Sequence, residues 1–215
     1  MNRDDILWKN VLEDVFDDFL RFFIPQVDEL LDLSRGVEYL DKELDQLFPP
    51  EQDEYKPRFV DKLAKVYTPS GTEEWILVHI EVQGYRDSYF AKRMFQYYAR
   101  ILDKHDRSVV AFAIFTDPEP GFHPKVFEQS FLGTSLCYSF NTYKIVEQPE
   151  AALAEDPNPF DVVALTVQTA LRRNKITSQE LYDLKLSIAR RLMTKRIDKA
   201  KIGKIMDFLR YYVRF

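Results

Sequence analysis

The sequence predicts an α/β fold, with a central mixed β-sheet flanked by helices and with further helices at the C-terminal end. Three observations carry this. Two strand-like runs, residues 58–67 and 74–83, are separated by Thr68-Pro69-Ser70-Gly71, a turn signal of hairpin length. A third run, residues 109–115, is apolar throughout, as a buried strand requires. Segments of helical period lie before, between and after these runs.

Residues 4–23 place Leu7, Val11, Leu12, Val15, Phe19 and Phe22 at helical spacing, with Asp4 or Asp5 as cap and Pro25 just past the end. A short acidic segment follows at 27–33, then a short strand at 37–40. The stretch 45–57 is polar, contains Pro49, Pro50 and Pro57, and reads as a loop. In the hairpin, Trp75-Ile76-Leu77-Val78-His79-Ile80 is almost wholly apolar, which suits a central strand covered on both faces. Residues 87–104 return to helical period through Phe90, Met94, Tyr97, Tyr98 and Ile101, with both tyrosines read as core. Thr116-Asp117-Pro118 ends the strand at 109–115, and 143–146 is a further short strand. Asn158-Pro159-Phe160 opens a helix over 160–172, and residues 178–215 read as two basic amphipathic helices separated near Gly203.

A length of 215 residues suits one domain with an appendage, here a body over 1–170 and a basic helical extension over 171–215. The single cysteine, Cys137, excludes a disulfide framework or a cysteine zinc site within one chain and points to a reducing compartment. It is expected to be a small buried apolar residue. The charged first residues lack a signal core, and no run approaches the roughly 18 apolar residues of a membrane span, so a cytoplasmic protein is expected. The net charge of −5 conceals an asymmetry. Residues 1–54 hold 16 acids against 5 bases, whereas 171–215 hold 13 bases against 4 acids. Arg172, Arg173, Lys175, Arg190, Arg191, Lys195 and Arg196 are the cations that could hold a polyanion such as DNA. The competing reading is a solvated, lysine-rich helical face, or a face that docks a partner or a second subunit in a homodimer.

Side chains alternate across a strand, so Asp61 shares a face with Leu63 and Lys65, while His79, Glu81 and Gln83 share one on the second strand. Hairpin strands lie roughly 4.8 Å apart, which lets Asp61 and Glu81 converge at the end away from the turn. Two carboxylates so close need a counter-charge, and Mg²⁺ suits hard oxygen ligands and accepts phosphate oxygens, with Mn²⁺ able to substitute. Such an ion polarises a phosphoryl group and activates water, which is chemistry for cutting a phosphodiester. The plain structural alternative pairs these acids with Lys62, Lys65 or Arg58 at the surface.

Three blocks, residues 59–66, 74–84 and 90–97, resemble the Rpn-type recombination-promoting nucleases, also described as transposases of the PD-(D/E)XK nuclease family. Residues 39–44 and Asn158-Pro159-Phe160 resemble further blocks, so the likeness runs from about Trp8 to about Phe160. It implies a restriction-endonuclease-like core over 1–170 and Mg²⁺-dependent DNA cleavage. Asp61 and Glu81 match the family's acidic ligands. Gln83 stands where the wider superfamily usually has lysine, and glutamine orients water but neither titrates nor carries charge. Lys62, Lys65 or His79 are candidates for the missing function, with Glu43, Gln96 and Arg100 as further accessory candidates. Arg190, Arg191, Lys195 and Arg196 are the candidates for holding DNA. The alternative is a nuclease fold kept as a DNA- or protein-binding module with weakened catalysis. A glycosidase using the two acids is remote, because no aromatic sugar platform accompanies them.

Overall fold

The apolar stripe of the first residues forms two helices, α1 (Arg3–Asp14) and α2 (Phe16–Phe23), where the periodicity alone predicts one. Val15 leaves helical geometry at φ −123°, yet its amide still reaches Val11 O and its carbonyl still accepts from Phe19. The local bend keeps Trp8, Val11, Leu12, Val15, Phe16, Phe19 and Leu20 all buried. The computed structural model describes residues 3–47, 59–81, 87–155 and 158–214, and for 59–61, 80 and 81 the backbone alone.

The chain continues through α3 (Val27–Leu30), a 3₁₀ turn at Leu33–Arg35, β1 (Glu38–Tyr39) and α4 (Asp41–Leu47). The expected loop over 45–57 therefore begins inside α4, and its remainder lies outside the described residues. Next come β2 (Phe59–Tyr67), β3 (Glu73–Glu81), α5 (Phe90–His105) and β4 (Val109–Phe115). Two strands without a sequence signal follow, β5 (Val126–Phe131) and β6 (Thr134–Ser139), and then β7 (Asn141–Lys144) with a 3₁₀ turn at Ile145–Glu147. The chain ends through α6 (Glu150–Glu155), α7 (Phe160–Arg172), α8 (Ser178–Thr194) and α9 (Lys199–Tyr212).

Two expectations are corrected here. The last two helices part at residues 195–198, not near Gly203, which lies inside α9. The carboxylate of Asp198 accepts from the amides of Ala200 and Lys201 and so starts α9. A mid-helix glycine costs only about 1 kcal/mol, which this cap and the buried Ile205, Phe208 and Leu209 offset. Cys137 is exposed rather than buried, because β6 belongs to a two-stranded sheet whose residues are mostly exposed.

By its internal contacts the chain forms two compact units. One comprises Asp28–Phe115 and Glu119–Lys144 and holds both sheets. Its five-stranded sheet has the order β1-β2-β3-β4-β7, antiparallel from β1 to β3 and parallel from β3 to β7. The mixed sheet expected from the sequence is thus observed. Parallel β3 and β4 need a crossover, and α5 supplies it. Its Phe90, Met94, Tyr97 and Ile101 pack with Leu63, Trp75, Leu77, Ala111, Ala113 and Phe115 on one sheet face. Residues of the other parity, Lys62, Ala64, Val66, Ile76, Val78, Phe112 and Ile114, are also buried. The central strands are therefore covered on both faces, as their unbroken apolar runs predict.

The second unit comprises Met1–Val27, Thr116–Pro118 and Ile145–Phe215 and is helical. Helix α7 is buried from Phe160 to Thr169 on every side, so it is the axis of this unit. Phe160 meets the rings of Phe19, Phe22 and Phe23 at 5.3–5.6 Å. Trp8 stands edge-on to Phe208 at 5.3 Å and to Tyr212 at 6.1 Å. Burial pushes the Tyr212 hydroxyl up to about 12.

The charge asymmetry of the sequence resolves inside this unit. Lys201 Nζ lies 2.9 Å from Asp17 Oδ1 and 2.5 Å from Asp18 Oδ2, Lys204 lies 3.7 Å from Asp14, and Arg214 pairs with Asp4. Acidic α1 and α2 thus neutralise basic α9 along one seam. Much of the C-terminal positive balance is spent within the protein.

Candidate functional site

Paired residues of neighbouring strands share a face, so the register defines rows across the sheet. One row is Asp61, His79, Ala113 and Thr142. The next is Phe59, Glu81, Phe115 and Lys144. Both rows belong to the face that α5 covers, since the Phe90 ring lies 5.2 Å from His79 and 4.8 Å from Phe115. They cross the carboxyl ends of the parallel strands β3, β4 and β7. In open α/β sheets ligands bind beyond that edge.

Asp61 opposes His79, and Glu81 is two residues further along β3. The two acids therefore hold diagonal positions on one face, where backbone positions lie roughly 7–8 Å apart. Carboxylates carried from such positions are hard oxygen donors of the kind Mg²⁺ takes, an ion that leaves its other positions to water and phosphate. Among the described residues no group of three or more His, Cys, Asp or Glu is placed to hold a metal ion. Gln83 lies outside the described residues.

The accessory candidates separate sharply. His79 is fully buried, its ring set against Phe90 and, at 6.0 Å, Tyr97, in the row of Asp61. Lys62 has the opposite parity. Its Nζ sits 2.5 Å from Asp41 Oδ2 and 4.6 Å from the centre of the Tyr39 ring. Lys65 shares the parity of Asp61 but lies four residues nearer the turn, held by Glu38 at 2.5 Å and Glu73 at 3.8 Å. The Glu38 hydrogen bond holds its ammonium above the usual range. Glu43 is half-buried on α4. Gln96 and Arg100 are exposed on α5, off its sheet-facing stripe, and Arg100 donates to Leu47 O at 3.1 Å. Of the three groups considered for the role of the absent lysine, only His79 stands beside Asp61 in the register.

Two groups lie outside the candidates read from the sequence. Lys144 ends β7 in the row of Glu81, is 2% exposed, and places Nζ 5.6 Å from the centre of the Phe115 ring. Nothing in the sequence marks a lysine that is 63 residues from Glu81 and adjacent only through β4. Arg93 lies one turn into α5. It bonds Asp87 at 2.6 Å and spreads over Phe90 at 5.3 Å, the ring that also backs His79. The only hint was an acid just ahead of a helix whose first turn carries the arginine.

The basic candidates lie in the helical unit and differ in burial and pairing. Lys195 is 8% exposed and sits 3.1 Å from Asp161, which is wholly buried, while also donating to Asn158 O. Arg191 is half-buried at a cleft of about 90 Å³ that Glu150, Gln168, Arg172 and Ser187 also line. Arg172 pairs with Glu150 there at 2.7 Å. Arg190 and Arg196 are exposed.

Residues 2–111 match the model of the family described as "Putative transposase, YhgA-like". That span runs through both hairpin strands and α5 and stops within β4. No curated protein and no solved structure matches the chain. No helix among the described residues is long and apolar enough to cross a membrane.

Proposed function

The chain belongs to the YhgA-like transposase family, and from that premise we propose that it is a metal-dependent DNA endonuclease that hydrolyses phosphodiester bonds during recombination or transposition of mobile DNA. The observation that carries the reading is the register. It sets Asp61 and Glu81 on one face, one diagonal apart, at the carboxyl edge of a mixed sheet.

Asp61 and Glu81 are the residues that would hold Mg²⁺, or Mn²⁺ in its place. The ion, when bound, supplies charge for the scissile phosphate and a nucleophile at neutral pH. Gln83 accepts from and donates to the attacking water or a phosphate oxygen and so orients it, but moves no proton. Lys144 supplies the fixed positive charge that Gln83 lacks, from the same row as Glu81. His79 sets the position of Asp61, and its own ring is fixed by Phe90 and Tyr97. Arg190, Arg191 and Arg196 bind DNA phosphates. Lys195 holds Asp161 and so fixes the segment that carries Arg196.

The glutamine at position 83 favours one second reading, a nuclease fold that binds DNA with weakened catalysis. Supercoiled plasmid incubated with the chain, with Mg²⁺ or with EDTA, separates the two. Nicked or linear product with Mg²⁺ alone is expected. Plasmid that is shifted on a gel but stays supercoiled with Mg²⁺ would favour the binding module, and neither effect would refute both.

A further inference from the structure

The hairpin of β5 and β6 is amphipathic by register. Phe127, Gln129, Phe131, Thr134, Leu136 and Tyr138 share one face. Near its base that face is filled by α5 of the same unit, where Phe95 stacks on Phe127 at 5.3 Å and Tyr98 meets Tyr138 at 4.9 Å. Burial against α5 pushes the Tyr138 hydroxyl above its ordinary range. Beyond that contact the same face is uncovered, with Phe131 71% and Leu136 36% exposed, and Leu132 in the turn is 89% exposed. Leu132 also holds φ +44° ahead of Gly133 at φ +85°, a two-residue turn of the I′ type that keeps the strands tightly paired to their tip. A two-stranded ribbon with an apolar face in water is marginal on its own.

Its edges are equally open. Among the described residues β5 and β6 pair only with each other. Edge strands are commonly guarded by lysine, proline or a bulge. β6 has none of these, and over residues 126–139 Glu128, on β5, is the one charged side chain. Nucleic acid is a poor occupant for this ribbon, which has no cation over residues 126–139 to neutralise phosphate. A second copy is the fitting one. Two chains of net charge −5 repel over most of their surfaces but meet without repulsion at an uncharged edge.

We propose that β6 pairs antiparallel with β6 of a second copy, making a four-stranded sheet about a two-fold axis and setting Leu136 beside the same face of the partner's β6. The geometry fixes the parity of that pairing. In a two-residue hairpin Phe131 and Thr134 exchange hydrogen bonds, so the backbone groups of Ser135 and Cys137 point away from β5. Odd residues must then pair with odd ones. The same parity puts both apolar faces on one side of the new sheet and both Cys137 side chains on the other. Cys137 then lies opposite its symmetry mate or one diagonal from it, within roughly 5–8 Å.

Sedimentation of the full chain, with and without substitutions at the edge, tests this. The wild-type chain is expected to be a dimer. Ser135→Pro removes an outward amide that β5 does not use, and Leu136→Lys puts charge on the shared face. Each should weaken dimerisation roughly tenfold or more while leaving circular dichroism and the unfolding transition of the monomer intact. Because Cys137 is the chain's one cysteine, a short bis-maleimide should link native dimers through it without any substitution. A wild-type chain that stays monomeric up to roughly 100 µM, where even weak interfaces associate, overturns the proposal. So does a dimer that both substitutions leave intact and that Cys137 does not link. None of these readouts depends on nuclease activity.

Discussion

Replacing Lys201 with methionine tests the seam between α9 and the first two helices. Lys201 joins Asp17, whose side chain is 39% exposed, and Asp18, whose side chain is 10% exposed. The Asp17 half of the interaction is screened by solvent and contributes no more than about 0.5 kcal/mol. Asp18 decides the outcome. Stripping the partner from a fully buried charge costs about 3–5 kcal/mol. Here Arg21 remains 3.9 Å from Asp18 and a little solvent reaches it, so about 2–3 kcal/mol is expected for Lys201→Met. In a chain of this size that lowers the melting temperature by roughly 5–10 °C. Adding Asp18→Asn should recover at least about half of the loss, because no unpaired charge is then left behind. The pH dependence carries the sign. Burial alone lowers the Lys201 ammonium, but the hydrogen bonds it donates to Asp18 and Asp17 outweigh that and hold the pKa above its ordinary 10.5. A group whose folded pKa is raised stabilises the fold fully below its unfolded pKa and loses that contribution as pH rises through the folded value. The gap between wild type and Lys201→Met should therefore be open at neutral pH and close above about pH 10.5. Burial holds the Asp18 carboxyl above its ordinary 3.8 even with Lys201 present. Without the lysine it rises further, so the variant should also regain stability relative to wild type as the solution turns acidic. Chemical denaturation of both proteins across pH gives the curve. A loss under about 0.5 kcal/mol at pH 7, the scale of an ordinary surface substitution, would show that the seam is solvated decoration.

Three further outcomes follow from the site. Gln83→Lys should keep measurable plasmid cleavage and Gln83→Ala should lose more, so the reverse order in rate assays would mean that the amide makes a contact lysine cannot. Lys144→Met should cut the cleavage rate by roughly 10²-fold or more, as removal of a charge aimed at a developing anion does, with Lys144→Arg restoring part of it; equal rates for Lys144→Met and wild type would remove Lys144 from the site. Joint substitution of Arg190, Arg191 and Arg196 by glutamine should weaken binding to all DNA sequences alike and flatten its salt dependence by about one unit for each phosphate no longer neutralised, as read by fluorescence anisotropy. An unchanged affinity and slope would assign those arginines to other work.

The parts of the fold legible in the sequence were those where one local signal had no rival. The unbroken apolar run of β4, the turn between β2 and β3, and the Asn158-Pro159-Phe160 start of α7 all lie where periodicity and turn chemistry put them. Failures came where tertiary context decided. The β5–β6 hairpin has short strands with few apolar residues, and half of its apolar face has no cover to demand a longer run. Gly203 looked like a helix break, yet Asp198, a quieter residue in the pattern, caps α9 five residues earlier. The strand parity that brings Asp61 and Glu81 to one face could be read from the sequence, because it depends only on alternation and one tight turn. Lys144 could not, because its adjacency runs through β4 and needs the strand order. The charge asymmetry was visible as a count, but a count does not say who meets whom. Lys195, a candidate for holding DNA, is bound to Asp161, and Lys201, which the sequence does not single out, is bound to Asp17 and Asp18.

The central claim is that Asp61 and Glu81 together make one hydrolytic site for DNA. Cleavage of supercoiled plasmid in Mg²⁺ by the purified wild-type chain, beside Asp61→Ala and Glu81→Ala prepared identically, addresses it most directly. Nicking by the wild type, with activity in each variant falling to the level of the EDTA control while both variants unfold at the wild-type temperature, is the predicted result. Two variants that cut as fast as the wild type would contradict it.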